Sequence, residues 1–592
     1  MKQSNFQPGQ SVDIKRGFST RQGITRLIDE YKSFQLKSIL SQRYPHVRVH
    51  EMNSRLSLIW AGVHDADKIL EEIDRKAAEI TRANGNISAY IDYSRAEIRA
   101  LAISMAELEH TNTVDKVTLA EQMLGHRIPG TTYKSKLART FSSKFWRRSL
   151  TVAIDRAREH AFLRLGKIGK EKEFYASDLS VDARLDQIRR QQLWMKNTVV
   201  VEKRGSNAES DDSLKEFPLY DVMKSPEQRF SKLYTFFSAM DKLATESKLS
   251  SAMLTITLEP VWHANPSVGS TSWNGRSPKE AHESFCDRWQ AVLRDLHREG
   301  IRVSGFRVLE PHGDACPHYH TWLLYRPEHE KTILLTIMKY FKDKLKVRSS
   351  SKDGDGKGDI VYVDRSSLAA GKFESYKTGG AQVDFSRLEG DENSRVSYVM
   401  KYISKSLPGA AKVEDSEKTK SKNNIDRVDA FRAIWGMNQG QLFGVAKCLT
   451  AWDQLRALQR PPEHWFLRKL WCFARGGLFE GRIEKGSKLQ GDAYEFLKAL
   501  GGLDASRNGK RKVKCYGIRR FVKNDENRYG DKTTKTIGLT LVLKKTTKAK
   551  VKSSKTGLVR IVRRVIVLVI VNHQTKFTEW IFKRKMVESR RL

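Results

Sequence analysis

The chain has few cysteines and no long apolar run. Its five cysteines form no CxxC pair and lie far apart in a sequence of 592 residues. This spacing argues against a disulfide framework and a cysteine-based zinc site, and it fits a reducing cytoplasm. No apolar stretch approaches the roughly 20 residues that cross a bilayer. The first ten residues, MKQSNFQPGQ, lack the apolar centre of a signal peptide. We therefore expect a cytoplasmic protein.

The sequence also has too few acidic residues to balance its basic ones. Lysine and arginine number 107 against 69 aspartate and glutamate residues, which gives a formal net charge of +38. This excess favours a polyanionic partner, most simply a nucleic acid, over a merely soluble basic protein. A hydrophobic content of 39% is too high for a disordered chain. The chain should therefore fold, and its length allows two to four domains.

Hydrophobic periodicity divides the chain into regions. We expect a mainly helical region at 1–143, a basic helical region at 144–249, alternating strands and helices at 250–407, a flexible linker at 408–426, a helical or mixed region at 427–543 and a basic tail at 544–592. The strands predicted between 250 and 407 are short and alternate in hydrophobicity. The sequence therefore predicts an α+β fold, with a central antiparallel sheet flanked by helices, a mainly helical N-terminal region and a small basic C-terminal region.

The segment FRVLEPHGDACPHYHTWLLY contains a candidate metal site. On a strand, His318 and His320 project to the same face because side chains alternate, and two imidazoles on one face can bind a divalent cation. Glu310 ends the preceding strand, and an antiparallel register that pairs Glu310 with His318 places all three side chains on one face. We therefore predict a site of two histidines and one carboxylate. Two loop residues, His312 and Asp314, are second choices for the third ligand.

The helical segment SRVSYVMKYISKSL carries two tyrosines. At 100° per residue, one stripe contains Val396, Val399, Met400, Ile403 and Leu407, and the opposite face contains Tyr398, Tyr402 and Lys405, with Arg395 and Lys401 on its flanks. Because the apolar stripe already supplies a core face, we expect the tyrosines to lie among cations, one helical turn apart.

The two elements together suggest transesterification on DNA. Neighbouring cations favour phenolate and bind phosphate oxygens, so that Tyr398 or Tyr402 could attack phosphorus and leave a phosphotyrosine and a free 3′-hydroxyl. A divalent cation, Mg²⁺ or Mn²⁺, would polarise the phosphodiester. In this interpretation Lys401 and Lys405 stabilise phosphate or phenolate; the alternative for each is a solvated surface lysine.

The ordered motifs resemble those of the phage replication gene A protein family. His318-Tyr319-His320 is similar to the His-hydrophobe-His motif of the HUH endonucleases, and the tyrosines of YVMKY look like the double tyrosine of rolling-circle replication initiators. The other matching stretches are MLTITLEPVWHANP, FRVLEPHGDACPHYH and FRAIWGMNQGQLFG. We expect the resemblance to extend from about Lys144 to Leu543. One departure is Gly313, which stands where a second histidine is expected and so weakens the case for His312 as a ligand.

The resemblance implies that residues 250–407 are an HUH endonuclease domain that starts rolling-circle replication. One tyrosine would nick the origin strand and stay on the 5′ end, while the 3′-hydroxyl primes a host polymerase; the second tyrosine would cut the regenerated origin. No GxxxxGK[ST] phosphate loop occurs in the sequence, so unwinding would require a separate helicase. The implied partners are single-stranded origin DNA, a host helicase and a host DNA polymerase in the bacterial cytoplasm, with no membrane partner.

Three other interpretations remain open. A two-tyrosine HUH transposase shares the same chemistry. A non-enzymatic DNA-binding protein could hold a structural ion between its histidines. A metal-dependent hydrolase would use water, with the tyrosines incidental. A protein–DNA adduct that resists denaturation would be formed by the replication initiator or the transposase and by neither of the others.

Overall fold

The computed structural model describes two compact units. The described residues are 61–83, 93–108, 115–169, 172–203, 216–223, 225–267, 272–341, 344–348, 360–371, 382–390, 392–404, 418–476, 491–506, 514–552, 559–575 and 579–584, with scattered positions between 32 and 91. One unit comprises Met1–Glu173 with Asp525–Thr533, and the other comprises Phe174–Asn524 with Thr534–Leu592. Within the described ranges, no helix is both long enough and apolar enough to span a bilayer.

The first unit is helical, as its sequence pattern predicts. Its helices are α1 (Ala66–Ala83), α2 (Arg95–Glu107), α3 (Lys116–Leu124), α4 (Tyr133–Thr140) and α5 (Ser143–Arg164). Reciprocal hydrogen bonds of a capping box begin α2 at Ser94 and α4 at Thr132. Trp146 and Ile154 of α5 are buried in the same apolar cluster as Ile98 of α2. The unit extends to Glu173 and therefore includes α5, beyond the boundary expected at residue 143.

The second unit contains the remaining helices and the strands. Its helices are α6 (Asp178–Lys196), α7 (Leu219–Val222), α8 (Pro226–Glu246), α9 (Pro278–Arg298), α10 (Glu330–Tyr340), α11 (Arg365–Ala370), α12 (Glu392–Ser404), α13 (Lys418–Trp435), α14 (Leu449–Ala457), α15 (Trp465–Arg475) and α16 (Ala493–Ala499). The strands are β1 (Thr198–Lys203), β2 (Glu216–Pro218), β3 (Ser250–Thr257), β4 (Ser304–Pro311), β5 (Pro317–Tyr325), β6 (Lys344–Arg348), β7 (Ile360–Asp364), β8 (Val383–Arg387), β9 (Gly440–Phe443), β10 (Lys514–Glu526), β11 (Lys532–Lys552), β12 (Val559–Gln574) and β13 (Glu579–Arg584).

Seven strands of the described chain form the central sheet, in the order β7–β6–β8–β3–β5–β4–β9. Neighbouring strands are antiparallel except β6 and β8, which are parallel. The prediction of a mixed helix-and-strand protein with a central sheet is therefore confirmed. In the β4–β5 hairpin, Glu310 lies opposite His318, which is the register expected from the sequence.

Several predicted boundaries need correction. Within the region 250–407, helix α10 ends at Tyr340 and residues 344–348 form β6. Strand β9 joins the sheet although it lies outside the predicted region 250–407. The boundary expected at 543–544 falls inside β11, and the described residues beyond it belong to β11, β12 and β13, of which β13 pairs with β1. The predicted linker at 408–426 lies mostly outside the described residues.

The two faces of the central sheet are covered by different helices. On one face, Trp322 and Leu324 of β5 share an apolar core with residues of α8, α12, α14, α15 and α16. On the other face, Tyr319 stacks on Phe285 of α9, with ring centroids 3.5 Å apart. Because β5 alternates, His318 and His320 lie on the same face as Trp322. The histidine pair therefore lies at the end of the face that α12 covers.

Candidate active site

Three neighbouring strands change from apolar to polar along the α12-covered face. Their apolar members are Met253 of β3, Phe306 of β4 and Trp322 of β5, and the polar members that follow are Thr255 and Thr257, Glu310, and His320 and His318. Directly paired residues share a face, and the pairings are Thr257 with His318, His318 with Glu310, and Thr255 with His320. The sheet therefore brings both predicted histidines and the predicted carboxylate together.

Threonines of β3 orient the two imidazoles. Thr255 Oγ1 lies 3.0 Å from Nδ1 of His320, and Thr257 Oγ1 lies 3.1 Å from Nδ1 of His318. The two imidazole rings are 4.7 Å apart. On its other side, Nε2 of His320 lies 2.9 Å from Oε2 of Glu310. Each Nδ1 atom therefore faces β3, and the second nitrogen of His320 faces the carboxylate.

A third histidine lies beside the predicted pair. The ring of His312 is 4.3 Å from that of His318 and 5.2 Å from that of His263. His263 Nδ1 in turn lies 3.0 Å from Oδ2 of Asp314. Burial, reinforced by the neighbouring His263, lowers the pKa of His312 to about 4, so its imidazole is neutral at pH 7. Within the described part of the chain, Nε2 of His312 is buried and has no hydrogen-bond partner.

The loop that carries His312 has a strained backbone. Ala315 adopts a φ of 64°, in the left-handed region that non-glycine residues rarely occupy. The loop is closed by hydrogen bonds from His312 N–H to the Cys316 carbonyl at 2.8 Å and from Ala315 N–H to the His312 carbonyl at 2.8 Å. The Cys316 side chain is buried, and burial raises the pKa of its thiol. The loop thus fixes His312 beside His318.

The side chains are not already gathered as a complete metal site. Among the described residues, no three His, Cys, Asp or Glu side chains are arranged so that they could hold a metal ion. Two of the predicted ligands, His320 and Glu310, instead contact each other. Their separation of 2.9 Å is nevertheless close to the distance of about 3.0 Å between adjacent ligand atoms around an octahedral ion with bonds of about 2.1 Å.

Helix α12 brings the tyrosine pair to these histidines. The ring of Tyr402 lies 4.2 Å from that of His320, and the rings of Tyr398 and Tyr402 are 5.4 Å apart. The two phenolic oxygens are 3.1 Å apart, within hydrogen-bond distance. Val396, Val399 and Met400 are buried in the core, as the helical pattern predicts.

The surroundings of the tyrosines differ from those expected. Tyr398 and Tyr402 are half-buried and pack against the apolar core of the unit. Burial, the hydrogen bond to Tyr398 and the nearby acidic groups raise the pKa of Tyr402 well above its ordinary value. This shift is opposite to the cation-favoured phenolate expected from the sequence. In the protein alone, the Tyr402 hydroxyl therefore remains protonated at neutral pH.

The predicted cations near the tyrosines have different positions. Arg395 forms an ion pair with the buried Asp241 of α8, at 2.7 Å, and so ties α12 to α8. Lys401 is exposed. Lys405 lies outside the described residues.

Sequence analysis missed two further residues at the site. Asp384 of β8 pairs with Thr255, forms an ion pair of 3.4 Å with Lys346 and contributes to the raised pKa of Tyr402. Tyr175 has a φ of 70°, and its backbone N–H donates to the carbonyl of Gly313 at 3.0 Å. Burial raises the pKa of the Tyr175 phenol, and the nearby Glu310 carboxylate raises it further. Asp384 follows the alternation of the VDFSR segment and could have been predicted; nothing local distinguishes Tyr175.

Comparison with known proteins identifies the family. The sequence profile of bacteriophage replication gene A protein (GPA) matches residues 64–410, more than half of the chain. The chain therefore belongs to the bacteriophage replication gene A protein family, which confirms the resemblance seen in its motifs. The match begins at residue 64 and ends at residue 410, so the family region starts well before the expected Lys144, and this match stops before the expected Leu543. No solved structure matches the chain.

Curated relatives have names connected with replication. The chain is 27% identical over 419 residues to the probable replication protein P12 of Pseudoalteromonas phage PM2, covering 68% of this chain and 56% of the relative. It is 26% identical over 331 residues to the replication gene A protein of Escherichia phage 186, covering 55% and 43%. It is 20% identical over 314 residues to a probable replication endonuclease from a prophage-like region of Salmonella paratyphi A, covering 52% and 35%. The chain thus spans about half or less of the length of these relatives.

Proposed function

We propose that the protein is a site-specific single-strand DNA endonuclease and strand transferase that initiates and terminates rolling-circle replication. The observation that carries the proposal is the contact between the tyrosine pair and the histidine pair, with the Tyr402 ring 4.2 Å from that of His320. Residues from α12 and β5, far apart in sequence, meet where three strands become polar. Membership of a phage replication family and a relative named a probable replication endonuclease support DNA as the substrate.

The proposed reaction exchanges one phosphodiester for another. The phenolic oxygen of Tyr398 or Tyr402 forms a bond to phosphorus, and the bond between phosphorus and the 3′-oxygen breaks. The phenolic proton is lost, and the departing oxygen takes up a proton to become a free 3′-hydroxyl. The 5′ side of the strand remains joined to the protein, so the reverse reaction can reseal a strand without ATP. The hydroxyl separation of 3.1 Å allows either tyrosine to occupy nearly the same position.

The donor set of the site fits a divalent cation. His318, His320 and Glu310 would hold it, since they share one face and their imidazoles are oriented through Nδ1. Nε2 of His312, which is buried and has no hydrogen-bond partner among the described residues, is a further nitrogen beside them. When bound, Mg²⁺ or Mn²⁺ would supply Lewis-acid polarisation of the phosphodiester.

The residues around Tyr402 disfavour its phenolate, so the positive charge of a bound cation would be needed to stabilise it. The raised pKa of Tyr402 means that the site alone disfavours phenolate, because burial and the hydrogen bond to Tyr398 favour the neutral phenol and Glu310 and Asp384 add negative charge nearby. Lys401, exposed on the same helix, is proposed to contact the phosphate, and Lys405 is proposed to do the same. A host helicase and a host DNA polymerase are the proposed partners.

A covalent adduct is the decisive test. The protein is incubated with single-stranded origin DNA and Mn²⁺, denatured, and digested, and the residue joined to the DNA 5′ end is mapped by mass spectrometry. We expect adducts on Tyr398 and Tyr402, loss of all adduct in the Tyr398→Phe/Tyr402→Phe variant, and largely unchanged DNA binding by that variant. Cleavage without an adduct would refute the proposal in favour of a water-using hydrolase, and binding without cleavage would refute it in favour of a binding protein.

A further inference from the structure

A cluster of aromatic rings lies at the surface where α15 begins. Trp465 is 54% exposed although it is the first residue of the helix. The ring of Trp465 stacks on that of His464, with ring centroids 6.0 Å apart, and its centroid lies 5.7 Å from that of Tyr516 on β10. Tyr516 itself stacks on the buried Phe466 at 4.4 Å, which anchors the cluster to the core. The cluster therefore presents a large exposed indole on a rigid base.

The two chain segments that carry this cluster are rich in basic residues. Between Arg456 and Gly476 the sequence contains one acidic residue, Glu463, and the basic residues Arg456, Arg460, Arg468, Lys469 and Arg475. Residues 514–524 of β10 add Lys514, Arg519, Arg520 and Lys523 without an acidic residue. Arg460, Arg468, Arg519 and Arg520 are exposed. The surface is therefore strongly positive.

Arg468, three residues after Trp465 on α15, and the more distant Arg456 and Arg475 of the same segment each donate to a backbone carbonyl. Arg468 donates to the Pro462 carbonyl at 3.2 Å, Arg475 donates to the Leu458 carbonyl at 2.5 Å, and Arg456 donates to the Ala474 carbonyl at 2.6 Å. A carbonyl fixes the position of a guanidinium group without neutralising it as a carboxylate would. These contacts hold the cations in place for an anionic partner.

We propose that this surface, formed by Trp465, His464, Tyr516 and the arginines around them, binds single-stranded DNA. Unpaired bases can stack on an exposed indole, whereas the bases of a duplex are already stacked on each other, and the cations match a phosphate backbone. The surface is a second DNA contact, carried by α15 and β10 rather than by the histidine and tyrosine residues. This inferred binding rests on the proposed function only because it takes DNA as the partner.

The test measures binding without cleavage. Every protein carries Tyr398→Phe/Tyr402→Phe, EDTA is present, and fluorescence anisotropy follows binding of a fluorescein-labelled oligothymidine of about 20 nucleotides, longer than typical single-strand sites. We expect Trp465→Ala to weaken binding by about 5- to 100-fold, the range for loss of a base–aromatic stack, and Trp465→Phe to retain most of the affinity. The matched control is Trp194→Ala, which removes another exposed tryptophan of the same unit, on α6, and should leave affinity unchanged.

Salt dependence tests the cations separately. Arg460→Gln should make the plot of log affinity against log salt concentration shallower by about 0.7, as expected when one single-strand phosphate contact is lost. Arg190→Gln, which removes an exposed arginine of α6, should leave the slope unchanged. Thermal unfolding of each variant confirms that it is folded before binding is compared.

Three results would overturn the proposal. In the first, Trp465→Ala binds the oligothymidine as tightly as its parent. In the second, Trp465→Ala weakens binding of a duplex of the same length equally, so that stacking of unpaired bases is not the cause. In the third, Trp194→Ala causes an equal loss, so that the effect is not specific to this surface. Failure to form a covalent adduct would refute the proposed nicking reaction but would leave this binding result unaffected.

Discussion

The threonines of β3 provide a sharp test of the candidate active site. Thr255→Val and Thr257→Val each replace a hydroxyl by a methyl group of similar shape on a strand, where valine is equally suited. Each change removes the group within 3.0 or 3.1 Å of a histidine Nδ1 atom. A hydroxyl can accept a hydrogen bond from a protonated Nδ1 or donate one to an unprotonated Nδ1, so it supports both imidazole tautomers. Valine supports neither.

The size of the effect expected for Thr255→Val follows from leaving a buried histidine nitrogen without a hydrogen-bond partner. His320 is 7% exposed, so its Nδ1 cannot readily turn to water. A buried polar atom that loses its partner costs about 1–3 kcal/mol, which corresponds to about 5- to 150-fold in affinity at 1.36 kcal/mol per tenfold. Loss of residues that orient metal-binding histidines typically costs about 10- to 100-fold in metal affinity or activity. We therefore expect the half-saturating Mn²⁺ concentration for adduct formation to rise by about tenfold or more in Thr255→Val.

Thr321→Val is the matched control. Thr321 follows His320 on β5 and so points to the opposite face, and its buried hydroxyl has no hydrogen-bond partner within the described residues. We expect this variant to keep the parental Mn²⁺ dependence and to be at least as stable in thermal unfolding. An unchanged Mn²⁺ requirement in both Thr255→Val and Thr257→Val would refute the role of these hydroxyls in orienting the histidines.

Two further predictions concern helix α12. Asp241→Asn should lower the free energy of unfolding, measured in urea, by roughly 3 kcal/mol, because it removes the charge that pairs with the partly buried Arg395. The yield of covalent adduct should also fall, since α12 is held less firmly against α8. An unchanged unfolding curve would contradict this prediction. Tyr398→Phe should lower the pKa of Tyr402, because the hydrogen bond and charge of Tyr398 both raise it, but burial should keep that pKa above the ordinary value. NMR titration of ring-labelled tyrosine in the parent and in Tyr398→Phe measures this shift, with Tyr398→Phe/Tyr402→Phe used to assign the Tyr402 signal. A pKa of Tyr402 that stays constant or rises in Tyr398→Phe would count against the prediction.

Local periodicity was enough to predict the hairpin that carries the histidines. Side chains alternate on a strand, so His318 and His320 had to share a face, and the short connection to Glu310 left one simple register. The structure has that register. The pairing of β8 with β3 and of β9 with β4 could not be predicted, because β8 and β9 have only five and four residues and their partners are distant in sequence. Such pairings are decided by tertiary contacts.

The tyrosines show where the helical pattern stops being informative. The pattern correctly separated Val396, Val399 and Met400 from the tyrosine face. It could not show that a second face of the same helix would also be covered, by His320 and the polar end of the sheet. A helical wheel gives directions around one axis and says nothing about which neighbours lie in those directions. The environment of Tyr402 was therefore predicted as cationic, whereas its neighbours include acidic groups.

The position of the site can nevertheless be traced to one feature shared by three strands. On this face, β3 and β4 become polar toward their C-terminal ends, whereas β5 is polar at its N-terminal end and becomes apolar along the strand. The antiparallel pairing aligns the three polar ends. The apolar part of this face attracts the apolar stripe of α12, since burying Val396 and Met400 requires a partner such as Trp322. Once that stripe is docked, Tyr402, two residues after Met400, lies over the polar end beside His320. The hydrophobic core thereby places the tyrosine pair against the histidines, and the ion pair of Arg395 with Asp241 secures the same orientation at the other end of the helix.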